Sequence, residues 1–123
     1  MAGKKVLIVD DGAELREVIS SGLEIAGFEP LTAEDGLQGL QAARKHKPDL
    51  ILLDINMPGM DGGEVGQALK SDPATAGIPV IYITALAGDG TSKKEGVREI
   101  GGRLFISKPF RLETIIEAAQ KYT

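Results

Sequence analysis

The side chains best suited to chemistry in this sequence follow short apolar runs. Asp10 and Asp11 come after the first run, Asp54 after the third, Thr84 after the fourth and Lys108 after the fifth. Unbroken apolar runs are typical of strands buried on both faces of a parallel sheet. A carboxylate is costly to bury, so an acid at the end of such a strand is expected at the ligand-binding edge of the sheet. One such acid would most simply be a turn residue, but the joint pattern indicates a site.

The carboxyl ends of parallel strands meet at one edge, so three carboxylates, a hydroxyl and an ammonium group are expected to converge there. Crowded acids repel one another unless a cation neutralises them. Oxygen ligands without histidine or cysteine select a hard ion, here Mg²⁺ with Mn²⁺ as the alternative. Lysine and threonine side chains are suited to bind phosphoryl oxygens. These residue types predict a site for a phosphoryl group carried on a carboxylate.

Five strands and five helices are predicted to alternate along the chain and to position this site. The predicted strands are 5–9, 28–33, 50–53, 78–83 and 104–106; the predicted helices are one ending at Gly27, then 37–47, 62–71, 92–100 and 111–121. Asp11 and Glu14 are predicted to cap the first helix. Five glycines between positions 88 and 102 weaken the fourth helix and make that segment the most mobile one expected. The alternation predicts a doubly wound α/β fold with helices on both faces of a parallel sheet.

Composition limits the classes of function. The 123 residues are expected to form one domain, 1–123, with no output domain, and the absence of cysteine excludes thiolate metal sites and cysteine nucleophiles. No signal peptide or membrane span is visible, and a cytoplasmic location is expected. A net charge of −4 argues against direct nucleic-acid binding. Residues 88–111 nevertheless form a basic corner, with six basic residues against three acidic ones, where an acidic partner could dock.

These residues resemble the receiver domains of two-component response regulators, including the single-domain chemotaxis regulators. The similarity covers the whole chain, and the matching motifs are Asp10-Asp11, Pro48-Asp49-Leu50, the segment from Asp54 to Gly62, Thr84-Ala85 and Lys108-Pro109-Phe110. The resemblance implies a flavodoxin-like receiver fold with five parallel strands in the order 2-1-3-4-5. It also implies a regulatory phosphoacceptor rather than an enzyme.

The resemblance further assigns roles to the acidic residues. Asp54 would be the phosphoacceptor. Asp11, Asp54 and the main-chain carbonyl of Asn56 would be the Mg²⁺ ligands, and Asp10 would assist through water. The phosphoryl donor would be a phosphohistidine of a histidine kinase or a histidine phosphotransfer protein.

The remaining roles concern the switch. Thr84 and Lys108 would contact the phosphoryl oxygens, and the Lys108–Pro109 peptide bond would be cis. Thr84 would move toward the phosphoryl group while Phe105 turns inward. This change would alter the face of the fourth helix, fifth strand and fifth helix, to which a downstream protein would bind. The chain is expected to be a monomer with no membrane partner.

Two departures from the family and three rival functions accompany this interpretation. The segment between Thr84 and Lys108 is about two residues longer than is common in the family, which suggests a longer loop near the site. Leu86 is expected to slow self-dephosphorylation relative to a Leu86→Glu variant. The main rival is a phospho-independent adaptor, against which the intact acidic set speaks. An aspartyl phosphatase would need an acid where Asn56 stands, and a flavin binder would not have so acidic a first loop.

Overall fold

The computed structural model describes residues 3–55, 62–84, 97–100, 103–108 and 110–123. Within these ranges the strands are β1 Lys5–Val9, β2 Glu29–Ala33, β3 Leu50–Asp54, β4 Val80–Thr84, β5 Arg98–Ile100 and β6 Arg103–Ser107. The helices are α1 Ala13–Ile25, α2 Gly36–His46, α3 Gly62–Ser71 and α4 Leu112–Tyr122.

All six strands belong to one sheet in the order β2-β1-β3-β4-β6-β5. Five of them are parallel, and β5 alone runs antiparallel to its neighbour β6. Because β6 corresponds to the predicted fifth strand, the predicted order of the five parallel strands is confirmed. The carboxyl ends of these five strands therefore lie along one edge of the sheet.

The predicted helix 92–100 is wrong at its end, because residues Arg98–Ile100 form the edge strand β5. Ile100 pairs with Arg103 in the antiparallel register, and the two residues between them in the sequence are both glycine. A two-residue Gly-Gly connection is typical of a tight β-hairpin, and glycine has a low helix propensity. The open edge of β6 also offers backbone groups that a strand can satisfy. Residues 92–96 lie outside the described part of the chain, within which there are four helices.

Alternate residues of the central strands pack against helices on opposite faces of the sheet. One apolar cluster joins β-strand residues such as Ile8 and Leu52 to Ile19 of α1 and Ile115 of α4. The other cluster contains Leu7, Leu53 and Tyr82 of the sheet and side chains of α2 and α3, among them Leu40 and Val65. The residues of β3 are buried on both faces, as its unbroken apolar sequence predicts. This double layer confirms the doubly wound architecture.

The helix ends agree only partly with the sequence. Gly27 adopts a φ of 94° just after α1, which explains why this helix ends where it was predicted to end. Helix α1, however, begins at Ala13 with Gly12 as its N-cap and without a side-chain capping bond. The predicted capping pair of Asp11 and Glu14 is therefore wrong, since the helix starts one residue too late for Asp11 to cap it.

In the ranges that the structure describes, no helix combines the length and the apolar character needed to span a membrane.

Candidate functional site

Three carboxylates meet at the carboxyl edge of the sheet. Asp10 lies immediately after β1 and Asp54 is the last residue of the adjacent strand β3; they are 3% and 1% exposed. Asp11 is exposed at the rim beside them. One carboxylate oxygen from each of the three residues lies within 4.8 Å of the other two. The parallel pairing of β1 with β3 thus brings together acids that are more than forty positions apart in sequence.

Asp10 is held in place through three of its polar groups. Its Oδ1 accepts a hydrogen bond from the backbone N–H of Gly12 at 2.7 Å, and its own N–H donates to the carbonyl of Ala33 at 3.1 Å. The guanidinium of Arg16 donates from Nη1 to the Asp10 carbonyl at 2.6 Å. The second carboxylate oxygen, Oδ2, is buried without a hydrogen-bond partner. One oxygen of Asp10 therefore fixes the loop, and the other is left for an ionic partner.

Lys108 supplies a positive charge to this cluster. Its ammonium nitrogen lies 3.3 Å from Oδ2 of Asp54 and 3.9 Å from Oδ2 of Asp10. The backbone N–H of Lys108 donates to the carbonyl of Thr84 at 2.9 Å, so the side chain starts from a position set by the β4–β6 pairing. The side chain is 31% exposed. It can therefore reach both the acids and a ligand arriving from solvent.

One lysine does not neutralise three acids. Burial raises the pKa of the Asp10 carboxyl above its ordinary value, and the nearby carboxylate of Asp54 adds to the rise. The N–H of Gly12 and the ammonium of Lys108 act in the opposite direction but do not reverse it. The ionised form of Asp10 is thus disfavoured as the residues stand, and a further cation at this position would restore it.

The donor set fits a hard divalent cation. The converging atoms are all carboxylate oxygens, and one of them is a buried atom without a hydrogen bond. Mg²⁺ binds oxygen ligands at about 2.1 Å, and three carboxylate oxygens within 4.8 Å of one another are near enough to share one ion. Small side-chain adjustments would suffice for direct or water-mediated ligation. The predicted fourth ligand, the carbonyl of Asn56, lies outside the described residues.

Thr84 lies on β4, the neighbour of the Asp54 strand β3, and Phe105 lies on β6, one strand further from the acids. Thr84 is the last residue of β4 and is 4% exposed. Phe105 of β6 is half-buried, and its ring centroid lies 5.5 Å from that of Tyr82. Pro109, in the predicted cis peptide bond, and Leu86 both fall outside the described residues, so their roles remain predictions.

The basic corner predicted over residues 88–111 stays a prediction, because the structure describes only part of this segment. Lys108 turns to the acids, while the guanidinium of Arg103 lies over the ring of Tyr82, 5.9 Å from its centroid. Lys93 and Lys94 lie outside the described residues. Lys108 and Arg103 thus lie at opposite ends of β6 and have different partners.

Two polar residues near the site escaped the sequence analysis. Arg16 fixes the Asp10 carbonyl and lies 3.8 Å from the carboxylate of Glu34, and Ser107 is the register partner of Thr84. Arg16 could have been found from its position, because it is a cationic residue one turn into a helix that follows an acidic loop. For Ser107, the signal was a small polar residue directly before the lysine. Neither signal is specific without knowing which strands are neighbours.

Comparisons with known proteins agree with this geometry. A family model described as the response regulator receiver domain matches residues 6–120. The phosphate regulon transcriptional regulatory protein PhoB of Pseudomonas aeruginosa is 46% identical over 110 residues, which make up 89% of this chain and 47% of PhoB. The chain therefore spans about half the length of that relative.

Two further matches extend over nearly the full length of both this chain and the matched protein. The polar-differentiation response regulator DivK of Brucella anthropi is 39% identical over 119 residues, covering 97% of this chain and 95% of DivK. The structure of the chemotaxis protein CheY4 of Vibrio cholerae superposes with a TM-score of 0.83 at 32% identity, covering 99% of this chain and all of CheY4.

Proposed function

Because the chain belongs to the response regulator receiver domain family, we propose that Asp54 accepts a phosphoryl group from a phosphohistidine in a Mg²⁺-dependent reaction. Members of this family are regulatory phosphoacceptors rather than classical enzymes. The observation that carries the proposal is the position of the Asp54 carboxylate, buried at the end of β3 beside two other acids and 3.3 Å from the Lys108 ammonium.

The transfer itself is a substitution at phosphorus. A carboxylate oxygen of Asp54 attacks, the O–P bond forms as the P–N bond to the donor histidine breaks, and the imidazole nitrogen leaves with the electron pair. Lys108, which now bonds to Oδ2 of Asp54, is within reach to bind a phosphoryl oxygen instead. Catalysis here is mainly positioning and electrostatic stabilisation.

Asp10, Asp11, Asp54 and the carbonyl of Asn56 are the residues that would hold Mg²⁺. The ion, when bound, supplies positive charge to the phosphoryl oxygens. Asp10 contributes an oxygen that has no hydrogen bond at present. The Thr84 hydroxyl would donate a hydrogen bond to another phosphoryl oxygen. Hydrolysis of the acyl phosphate by water then returns the Asp54 carboxylate and inorganic phosphate.

The output surface is proposed to be the edge formed by β5, β6 and α4. This edge includes Phe105, whose ring contacts Tyr82 on the same face of the sheet as Thr84. Thr84 and Phe105 are the residues through which phosphorylation would change this edge, shifting the balance between two arrangements. The proposed partners are a histidine kinase or phosphotransfer protein upstream and a protein target downstream.

Intact mass spectrometry tests the proposal directly. The wild-type chain is incubated with Mg²⁺ and a small phosphodonor such as phosphoramidate, and it should gain the mass of one phosphoryl group. Asp54→Ala should not gain it, and excess EDTA should suppress it in the wild type. Asp72→Asn, which removes a carboxylate that is paired with Arg44 and is not a member of the acidic cluster, is the matched control and should react normally. Failure of the wild type to react would instead favour the phospho-independent adaptor.

A further inference from the structure

The hydroxyl oxygen of Ser107 is buried and has no hydrogen-bond partner. Buried hydroxyls are nearly always hydrogen-bonded, because an unpaired one loses its bonds to water without replacement. Among the described residues, the only other hydroxyl in this condition belongs to Ser20, in the middle of α1. Ser107 differs from Ser20 in its position, since it directly precedes Lys108.

Ser107 lies beside Thr84. The two residues are register partners in the parallel pairing of β4 with β6. Two residues earlier on the same strands, Tyr82 and Phe105 are also register partners, and their rings meet at 5.5 Å. Because side chains two positions apart along a strand lie on the same face, Thr84 and Ser107 form the next pair on that face. A hydroxyl without a partner thus neighbours the hydroxyl proposed to bind the phosphoryl group.

We propose that Ser107 is a positioning residue that orients the Thr84 hydroxyl in the phosphorylated state. This inference rests on the proposed function. Each hydroxyl has one proton to donate and two lone pairs that accept. When Thr84 donates its proton to a phosphoryl oxygen, the two lone pairs of its own oxygen can still accept, and the Ser107 hydroxyl donates to one of them. The resulting chain runs from Ser107 through Thr84 to the phosphoryl group.

In this arrangement the Ser107 hydroxyl contributes differently to the stability of the unphosphorylated and the phosphorylated protein. Before phosphorylation the Ser107 hydroxyl is buried and unsatisfied, which destabilises that state. After phosphorylation the same hydroxyl has a partner and also holds Thr84 in the rotamer that reaches the phosphoryl oxygen. Ser107 therefore favours the phosphorylated state in two ways: it destabilises the unphosphorylated protein and stabilises the phosphorylated one.

Substitution of Ser107 separates this role from a structural one. Ser107→Ala removes an unsatisfied group from the free protein, so the midpoint of urea denaturation without Mg²⁺ should rise. The same variant should bind beryllofluoride, a phosphoryl mimic, about five-fold more weakly in the presence of Mg²⁺, the effect of losing one neutral hydrogen bond. A residue with only a structural role would change the denaturation midpoint without changing the affinity for beryllofluoride.

Two further variants complete the experiment. Ser20→Ala removes the other unsatisfied hydroxyl and should raise the denaturation midpoint without changing beryllofluoride affinity. Ser107→Thr restores a hydroxyl on a side chain that suits a strand, and it should recover the affinity. Beryllofluoride binding is measured by isothermal titration calorimetry on all four proteins.

The outcomes distinguish this inference from the proposed function. Weaker binding by Ser107→Ala alone, recovered in Ser107→Thr, would support the role of Ser107. Equal affinities of wild type and Ser107→Ala would overturn it while leaving the phosphoacceptor role of Asp54 intact. Absence of beryllofluoride binding by the wild type would overturn both.

Discussion

Asp10 illustrates how the surrounding fold can keep one carboxylate in an unfavourable state. It is buried, its Oδ2 has no hydrogen bond, and it lies close to a second carboxylate. Gly12 and Arg16 hold its other polar groups, so it does not turn away to solvent. The proposed cation site would therefore be preorganised rather than assembled by the ion, which would lower the entropy lost on binding.

The raised pKa of Asp10 predicts the pH dependence of stability without metal. A carboxyl group whose pKa is higher in the folded than in the unfolded protein stabilises the fold fully at low pH. That contribution is lost as pH rises through the folded-state pKa. We therefore expect the unfolding free energy of the wild type, measured by urea denaturation in EDTA, to include a contribution from Asp10 that decreases as pH rises. Asp10→Asn, which keeps an oxygen for the Gly12 N–H, should lack it.

Asp72 provides a control of opposite sign. The N–H of Ala74 and the guanidinium of Arg44 lower the pKa of the Asp72 carboxyl. Its stabilising contribution is therefore present at neutral pH and lost as pH falls through its folded-state pKa. Asp72→Asn should remove the contribution to the unfolding free energy that increases with pH, and it should leave the decreasing contribution of Asp10 unchanged. If Asp10→Asn and wild type have parallel pH profiles, Asp10 is not the group responsible.

At the scale of elements, close approach between helix α3 and strand β4 depends on Gly66. A Cβ atom at this position would overlap the hydroxyl oxygen of Tyr82 and lie 2.9 Å from its Cζ. Tyr82 has little room to move, because it is 3% exposed and its ring packs against Phe105. Helix α3 thus lies against the same aromatic pair that borders Thr84.

We expect Gly66→Ala to destabilise the protein despite the better helix propensity of alanine. Overpacking of this kind costs about 1–3 kcal/mol, against the roughly 1 kcal/mol that replacing a helix glycine by alanine contributes. In a Tyr82→Phe background the same change should cost less, since the clashing oxygen is gone. Urea denaturation of the double-mutant cycle measures the coupling.

Gly63, exposed on the same helix, is the matched control for this cycle. Gly63→Ala should leave stability unchanged or raise it. If alanine changed the unfolding free energy equally at positions 63 and 66, the contact with Tyr82 would not be the reason why position 66 requires glycine.

At the scale of the whole molecule, the proposed metal binding at the acidic cluster would be linked to folding. Its members come from the ends of β1 and β3, and Lys108 comes from the end of β6, so the complete site exists only when the sheet is formed. A ligand that binds the folded chain and not the unfolded chain stabilises the fold by mass action. The repulsion among the acids is relieved at the same time.

Mg²⁺ should therefore raise the melting temperature. At one hundred times its dissociation constant, stabilisation is about 2.7 kcal/mol, or a shift of about 10 °C for a domain of this size. Differential scanning calorimetry in Mg²⁺ and in EDTA measures the shift. Asp11→Asn, which removes an exposed member of the cluster without burying a new group, should reduce it strongly, and Asp72→Asn should not. An equal rise with NaCl at matched ionic strength would contradict specific binding.

Much of the fold and of the candidate site could be predicted from the sequence, because their signals are local. The apolar runs that end at Asp10, Asp54 and Thr84 reflect burial of contiguous segments, and alternation with helical periodicity leaves few topologies. The order of the five parallel strands and the meeting of the acids at one edge were correct for this reason. The chemical roles of all the site residues, those of Asn56, Leu86 and Pro109 included, remain predictions.

Only the tertiary structure determined the features that depend on distant partners. Strand β5 forms because the edge of β6 is open to pairing, which no property of residues 98–100 alone reveals. The capping role assigned to Asp11 failed because the helix begins at Ala13. The Arg16 bond to the Asp10 carbonyl and the unpaired hydroxyl of Ser107 beside Thr84 likewise appear only once strands and helices are neighbours. A hydrogen bond or its absence is a property of two groups in space, whereas periodicity and composition describe one segment at a time.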